Sequence, residues 1–244
     1  ERAMGLPLVT RTRQGVELTD EGTTVLSIAA RAEEPMLELQ RLHDVKQPSG
    51  RVRLATSSIL SGGLLAVHVP TFAAENPALQ LELVVGRRLV DLTRREADLA
   101  LRLRPPGKAP GEPSIVVTRL AAVGFALYGT RTAARASPPR FVRYAGYEPA
   151  SQRVQAAAAE AVTSALVDDV PTALALAIAG CGLTVLPCFL GDEEPGLIRA
   201  SEVLESHGLF LATTEELRRA PRVQRAQRWL EAVALAERAR LAGH

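Results

Sequence analysis

Three consecutive hydroxyl side chains, Thr56, Ser57 and Ser58, lie between a predicted strand and a predicted helix. Hydroxyl groups and the free amides of a helix N-terminus bind anions such as carboxylates. Arg102 and Arg104 end another predicted strand, and their guanidinium groups supply positive charge. In open α/β sheets, ligands bind at the carboxyl ends of the strands. We therefore predict that these five residues bind a small organic anion.

Structural roles remain open for the same side chains. Ser57 and Ser58 also suit a helix N-cap, because a hydroxyl oxygen accepts hydrogen bonds from the first turn. Arg102 has an alternative in an ion pair with Asp98 or Glu96, which lie a few residues before it. The sequence does not choose between ligand binding and these roles.

Motifs of enzymatic chemistry are absent from the sequence. It contains neither a Gly-x-Ser-x-Gly elbow nor a Walker loop, and its four histidines lack metal-ligand spacing. Adjacent carboxylates such as Asp168 and Asp169 are typical of solvated helix or loop charges. Cys181 and Cys188 lie in an apolar segment and are interpreted as small buried hydrophobes. We expect no catalysis, no metal and no cofactor.

Strands and helices alternate from residue 50 onward, which predicts an α/β domain. Predicted strands cover residues 51–56, 79–85, 98–104, 115–119, 123–128 and 209–213. Helices are predicted at residues 57–74, at 89–96, at a stretch that residues 168–172 cap and that runs to Gly180, and at 221–241. Thr172 lies at the start of the third of these helices and is our candidate for the opposite wall of the anion site.

The first 20 residues combine a hairpin pattern with basic side chains. Residues 8–18 predict two short strands around a glycine turn, and Arg11 and Arg13 lie near its tip. A hairpin that leads directly into a helix is typical of a DNA-binding wing. Its arginines would bind phosphate oxygens or enter the minor groove. The structural alternative is a pair of exposed surface arginines.

A long helix is predicted after Thr19, whose hydroxyl suits an N-cap. Apolar residues recur in it at a spacing of roughly 3.5, which is typical of a seam between two helices. We predict a dimer through this seam; the alternative is a helix packed on its own domain. Pro35 is expected to bend the helix. The seam residues are Val25, Ala29, Ala32, Met36, Leu39 and Leu42.

Several segments resemble LysR-type transcriptional regulators. Three are similar to the end of that family's DNA-binding domain: residues 1–8, 11–15 and 18–22. Four are similar, in order and spacing, to the first half of its effector-binding domain: residues 50–54, 70–72, 88–92 and 98–102. Residues 180–187 resemble a motif of the second lobe of that domain.

The resemblance implies an α/β fold: a two-lobed, periplasmic-binding-protein-like effector domain preceded by the remnant of a winged helix-turn-helix and a long linker helix. It also implies that the chain begins within or just after the recognition helix. The expected domains are a wing remnant (1–19), a linker and dimerisation helix (20–46), and an effector domain (50–244). In the last, lobe I comprises 50–119 and 208–244, and lobe II comprises 120–207.

The implied function is ligand-responsive regulation of bacterial transcription. Such a protein would bind double-stranded DNA as a dimer or tetramer, and a small organic anion effector between its lobes. The alternative is a bilobal solute-binding protein, which would have no use for a wing or a dimer helix. No apolar run approaches the ~20 residues of a membrane span, so we expect a cytoplasmic protein without membrane contact. The net charge of +2 does not by itself indicate nucleic acid.

Overall fold

The chain forms two compact units, Glu1–Gln47 and Pro48–His244. The computed structural model describes residues 5–12, 15–28, 48–88, 90–105, 114–145 and 161–244. Within these ranges, no helix has both the length and the apolar character that a membrane crossing requires.

The first unit contains the predicted hairpin. Strands β1 (Val9–Thr12) and β2 (Gly15–Leu18) pair antiparallel, with Val9 opposite Leu18. Residues 20–28 are helical. The Thr19 hydroxyl accepts from the Gly22 amide at 2.9 Å, as expected of an N-cap, and donates to the Pro7 carbonyl at 2.7 Å. The hairpin and the cap agree with the sequence prediction.

Most of the predicted DNA and dimer contacts lie outside the described residues. Arg11 belongs to β1, where its backbone is opposite Val16, but its side chain is not described. Val25 is half-buried on the helix. The wing contact and the helical seam therefore stay predictions. The residues outside the description are Arg13, Ala29, Ala32, Pro35, Met36, Leu39 and Leu42.

A mixed seven-stranded sheet forms the centre of the second unit. Its strands are β3 (Gly50–Thr56), β4 (Leu79–Val85), β5 (Leu99–Arg104), β6 (Ile115–Gly129), β9 (Thr184–Pro187), β10 (Ile198–Arg199) and β11 (Glu205–Thr214). They lie in the order β10-β6-β11-β5-β3-β4, with β9 paired to β6. β3 pairs in parallel with β4 and β5, whereas β11 pairs antiparallel with β5 and β6. Separately, β7 (Arg140–Tyr144) and β8 (Val162–Val167) form a parallel pair.

Helices cover the sheet and connect its strands. The α-helices are Ser58–Leu60, Val69–Glu75, Arg131–Ala134, Val170–Ile178, Cys188–Gly191, Pro221–Ala236 and Arg238–Ala242. A π-helical turn spans Ser61–Leu65, and a 3-10 turn spans Leu217–Arg219. The predicted helix at 57–74 is thus three successive pieces. Its glycine pair lies in the π turn, and Pro70 lies in the first turn of the last piece, where its missing N–H costs nothing.

The helix predicted at residues 89–96 is wrong for the described residues 90–96, which form turns. The Asp91 carboxylate accepts from the Thr93 amide at 2.9 Å and from the Arg94 amide at 3.1 Å. Arg95 adopts a left-handed conformation with φ of 58°. A side-chain oxygen that binds nearby amides competes with helix formation, which explains the difference.

Further boundaries also differ from the prediction, and β11 is longer at both ends than the strand predicted at 209–213. The strands expected at 115–119 and 123–128 are one continuous strand, β6, and an irregularity between Leu209 and Phe210 of β11 adjusts the pairing beside it. The closing helix, expected from 221 to 241, is interrupted at Glu237. Its second piece packs against β6 and the helix Cys188–Gly191.

Separate apolar clusters define two lobes in this unit. The largest cluster includes Leu54, Leu99, Phe72 and Leu230, and lies between β3–β5 and the helices Val69–Glu75 and Pro221–Ala236; we call this the first lobe. The second lobe contains β7–β10 and the helix Val170–Ile178, with a cluster around Tyr128, Ala177 and Leu186. β6 contributes residues to both clusters.

Candidate ligand-binding site

The carboxyl ends of β3, β4 and β5 lie side by side because the three strands are parallel. Thr56, at the end of β3, is opposite Val85 of β4, and the next amide, that of Gly86, donates to the Thr56 carbonyl at 3.0 Å. Arg102 lies near the end of β5. The fold therefore brings together the strand ends on which the predicted site residues lie.

Thr56 is fully buried, and its hydroxyl oxygen has no hydrogen-bond partner among the described residues. A buried polar group without a partner costs about 1–3 kcal/mol. Ser57 occupies the N-cap position of the helix Ser58–Leu60 but makes no side-chain cap bond, and Ser58 is exposed. The structure therefore does not support the capping role that was the alternative for Ser57.

Arg102 holds the loop that follows β4. Its guanidinium donates to the Gly86 carbonyl at 2.6 Å and to the Arg88 carbonyl at 3.1 Å, while its buried Nε has no partner within the described part of the chain. Burial lowers the pKa of Arg102. Arg104 is half-buried and lies opposite Gly208 of β11. Because they are two residues apart on a strand, Arg102 and Arg104 are on the same face of the sheet.

The alternative ion pairs of Arg102 do not form. The Asp98 carboxylate instead pairs with Arg222 at 3.1 Å, and the Glu96 carboxylate pairs with Arg88 at 2.9 Å. Arg102 therefore binds backbone carbonyls rather than carboxylates.

The second lobe contributes the start of the helix Val170–Ile178. Asp169 caps this helix by accepting from the Thr172 amide at 2.9 Å, and hydrogen bonds from Thr172 lower the pKa of the Asp169 carboxyl. Thr172 is exposed in the first turn. The helix contacts the helix Ser58–Leu60 of the first lobe. The structure therefore places Thr172 on a helix that contacts the element directly after Thr56 and Ser57.

Arg87 completes this edge and was missed by the sequence prediction. Its guanidinium donates to the Asp168 carbonyl, lies 3.8 Å from the Asp168 carboxylate, and lies 5.4 Å from the centre of the Tyr144 ring. We call this contact between the lobes the exposed junction. Arg87 follows closely after strand β4, which was predicted correctly, and this position could have identified it. Nothing in the sequence indicates Tyr144.

A second contact between the lobes is buried. Phe189 of the second lobe is fully buried in the main apolar cluster, and a Cβ added to Gly63 would lie 3.0 Å from its ring. Arg240 donates to the Gly63 carbonyl at 3.0 Å and binds the carboxylates of Glu193 and Glu237. We call this contact the buried junction. These hydrogen bonds, first to Glu193, raise the pKa of Arg240, so its charge is fixed.

Metal-ligating side chains do not cluster in the part of the chain that the structure describes. Within the described ranges, His, Cys, Asp and Glu side chains form no group of three or more that could hold a metal ion. The free Cys188 is buried, as predicted, whereas Cys181 is half-buried. Hydroxyls, amides and guanidinium groups at this edge suit the binding of an anion.

Comparison with known proteins identifies the family. The family profile described as the LysR substrate binding domain matches residues 46–234. The HTH-type transcriptional regulator PgrR of Escherichia coli strain K12 is 29% identical over 109 residues, which are 42% of this chain and 35% of PgrR. The match thus spans about a third of the length of that relative.

Solved structures show the same fold. The effector domain of the transcriptional regulator AmpR of Pseudomonas aeruginosa has a TM-score of 0.63 at 16% identity, covering 78% of this chain and 96% of that domain. Full-length CbnR in complex with its target DNA has a TM-score of 0.57 at 16% identity, covering 96% of this chain and 86% of CbnR. The predicted α/β, periplasmic-binding-protein-like fold is confirmed, and the solute-binding alternative is not favoured. The chain belongs to the LysR substrate-binding domain family.

Proposed function

We propose that this chain is the effector-responsive part of a LysR-type transcription regulator, and that it binds a small organic anion at the carboxyl ends of β3–β5. The observation that carries the proposal is the Thr56 hydroxyl, which is fully buried and lacks a partner among the described residues, beside a helix N-terminus. A carboxylate oxygen at this point would accept from that hydroxyl and relieve its cost.

The chemistry around Thr56 favours a negatively charged effector. Ser57 and Ser58 add two hydroxyl groups directly after Thr56, and the helix Ser58–Leu60 contacts the helix Val170–Ile178 of the second lobe. Two guanidinium groups lie on the neighbouring strand end. The effector-binding residues we propose are Thr56, Ser57, Ser58, Arg102, Arg104 and Thr172.

We also propose double-stranded DNA as a partner of this protein. PgrR is named an HTH-type transcriptional regulator, and CbnR has been solved with its target DNA. In this chain, the β1–β2 hairpin would act as a wing, with Arg11 and Arg13 on the phosphate backbone. The helix that follows would pair with the same helix of a second copy through its Val25 to Leu42 seam. The resulting dimer would act alone or as half of a tetramer. Such a regulator works in the cytoplasm and catalyses no reaction.

Thermal-shift measurements test the effector site. A panel of carboxylates and amino acids is added to the chain, and we expect at least one anion to raise Tm. Thr56→Val should abolish this shift and, because it removes an unpaired hydroxyl, should leave the free protein equally stable or about 1 kcal/mol more stable. Arg102→Ala should also abolish the shift.

Thr118→Val is the matched control, because it makes the same change at an exposed position of β6. It should leave the shift intact. A shift that survives in both Thr56→Val and Arg102→Ala would place the effector elsewhere, and a panel without any shift would contradict an anionic effector.

Salt dependence tests the wing. In a form of the protein that carries a complete helix-turn-helix, Arg13→Ala should weaken binding to many DNA sequences to a similar extent. It should also reduce the slope of log affinity against log salt by about 1, because one phosphate contact is lost. An unchanged slope would remove Arg13 from the interface.

A further inference from the structure

The exposed junction lies beside the proposed effector site and joins the two lobes. Arg102 donates to the carbonyls of Gly86 and Arg88, so the backbone on both sides of Arg87 is held in the first lobe. The Arg88 side chain pairs with Glu96 of its own lobe at 2.9 Å. Arg87 instead reaches Asp168 and Tyr144 of the second lobe.

The electrostatic surroundings of Arg87 are mixed. Its guanidinium lies near the start of the helix Val170–Ile178, where the helix dipole disfavours a cation. The carboxylates of Asp168 and Asp169 offset this, and the charge of Arg87 contributes to the lowered pKa of Asp169, after the hydrogen bonds from Thr172. The Arg87 and Asp168 side chains are 53% and 84% exposed, so water and salt weaken their attraction.

An anion in the proposed site would compete for Arg87, because Arg87 follows Gly86, whose amide donates to the Thr56 carbonyl at 3.0 Å. The anion would offer Arg87 a carboxylate that other groups of the site also hold, whereas Asp168 offers only an exposed carboxylate and its carbonyl. Tyr144 offers a weaker partner, because a cation above an exposed ring is only modestly stabilised. The contact is therefore one that a bound anion can replace.

We propose that Arg87 couples the effector anion to the position of the second lobe: it holds that lobe through Asp168 and Tyr144 when the site is empty, and pairs with the anion when the site is filled. The inference rests on the anion site of the proposed function. Ligand binding then shifts a pre-existing equilibrium, because Arg87 has a different partner in each state.

Hydrogen exchange of the ligand-free chain, followed by mass spectrometry, tests the empty-state contact. Arg87→Ala should speed exchange of the amides at 168–174 and in β7 by roughly three- to fivefold, the effect expected of one exposed ion pair. Arg87→Lys keeps the charge and should give an intermediate rate. Arg88→Ala is the matched control, because it removes the neighbouring exposed arginine whose partner is in its own lobe. It should leave those amides unchanged.

Equal exchange in wild type and Arg87→Ala would overturn the contact, as would an equal acceleration in Arg88→Ala. If Arg87→Ala unfolds globally, exchange will rise throughout the chain. Exchange in Arg87→Lys and in wild type at 1 M NaCl then decides whether Arg87 contacts the second lobe. Both should accelerate residues 168–174 selectively, and no selective change in either would overturn the contact.

Affinity for the anion tests the exchange of partners. For the carboxylate with the largest thermal shift, Arg87→Ala should raise Kd at least about fivefold, and Arg88→Ala should not change it. An unchanged Kd in Arg87→Ala would overturn the proposal while leaving the proposed effector site in place. A panel without any shift would contradict the proposed function and the filled-state pairing together, whereas the ligand-free exchange data would still decide the empty-state contact.

Discussion

The two contacts between the lobes differ in what surrounds them. At the buried junction, Phe189 is enclosed by the core of the first lobe, and Arg240 bonds to three groups, Gly63, Glu193 and Glu237. At the exposed junction, Arg87 and Asp168 meet in solvent. Burying a large apolar side chain stabilises far more than an exposed ion pair does. The difference indicates that any opening of the lobes turns about the buried junction and separates the exposed one.

The largest effect is expected from Phe189→Ala. Removal of a fully buried ring leaves a cavity in the main cluster and should lower the free energy of unfolding by about 3–5 kcal/mol. Urea or thermal unfolding measures it. Leu235→Ala, at an apolar position that is 71% exposed, should change the same free energy by less than about 0.5 kcal/mol. A loss below about 1 kcal/mol for Phe189→Ala would mean that the buried junction does not fix the lobes.

A smaller loss is expected from Arg240→Ala. The variant leaves Glu193 and the Gly63 carbonyl without a partner they have in the native protein, and it should lower the free energy of unfolding by about 1–3 kcal/mol. Arg238→Ala, in the same short helix but exposed, should be nearly neutral. Equal losses in the two variants would show that Arg240 acts only as a surface charge.

The smallest effect concerns the helix start at the exposed junction. Asp169→Ala removes the N-cap of the helix Val170–Ile178 and should lower the free energy of unfolding by about 1 kcal/mol at pH 7. Because the folded-state pKa of Asp169 is lowered, this stabilisation is present above the unfolded value of roughly 3.9 and is lost as pH falls through the folded value.

Unfolding at a series of pH values checks this dependence. The difference between wild type and Asp169→Ala should shrink below about pH 4, since the protonated carboxyl no longer accepts from the helix as strongly. Asp169→Asn keeps a capping oxygen without a titratable group, and should retain most of the stability at every pH. A difference that stays constant into acid would mean that the carboxylate charge does not contribute.

The sequence predicted the elements whose signal is local. Strand β4 agrees at both ends with the prediction, and β3 and β5 differ by one residue, so the edge that carries Thr56 and Arg102 was found from apolar runs and turn residues. A cap was predicted within residues 168–172, and the structure has it at Asp169, where a carboxylate before a proline-containing first turn is a local signal.

The failures have both local and tertiary causes. The helix at 89–96 fails because the Asp91 side chain binds the amides that a helix would use. The ion pair that was the alternative for Arg102 does not form, because its guanidinium instead holds two carbonyls of the loop that follows another strand. Tyr144 and Asp168 are far from Arg87 in the sequence and contact it only through the fold of the second lobe, so no spacing in the sequence predicts these contacts.

The break at Glu237 divides the closing helix between two bodies. Residues Pro221–Ala236 pack on the first lobe. The last turn contacts both lobes: Leu241 is buried in the main cluster, Arg240 donates to the Gly63 carbonyl, and Arg199 donates to the Gly243 carbonyl at 3.0 Å. The carboxyl terminus therefore joins the second lobe to a helix that begins on the first. A fluorophore at His244, paired with one on the exposed start of the Pro221–Ala236 helix, would report the angle between the lobes from a single segment of chain.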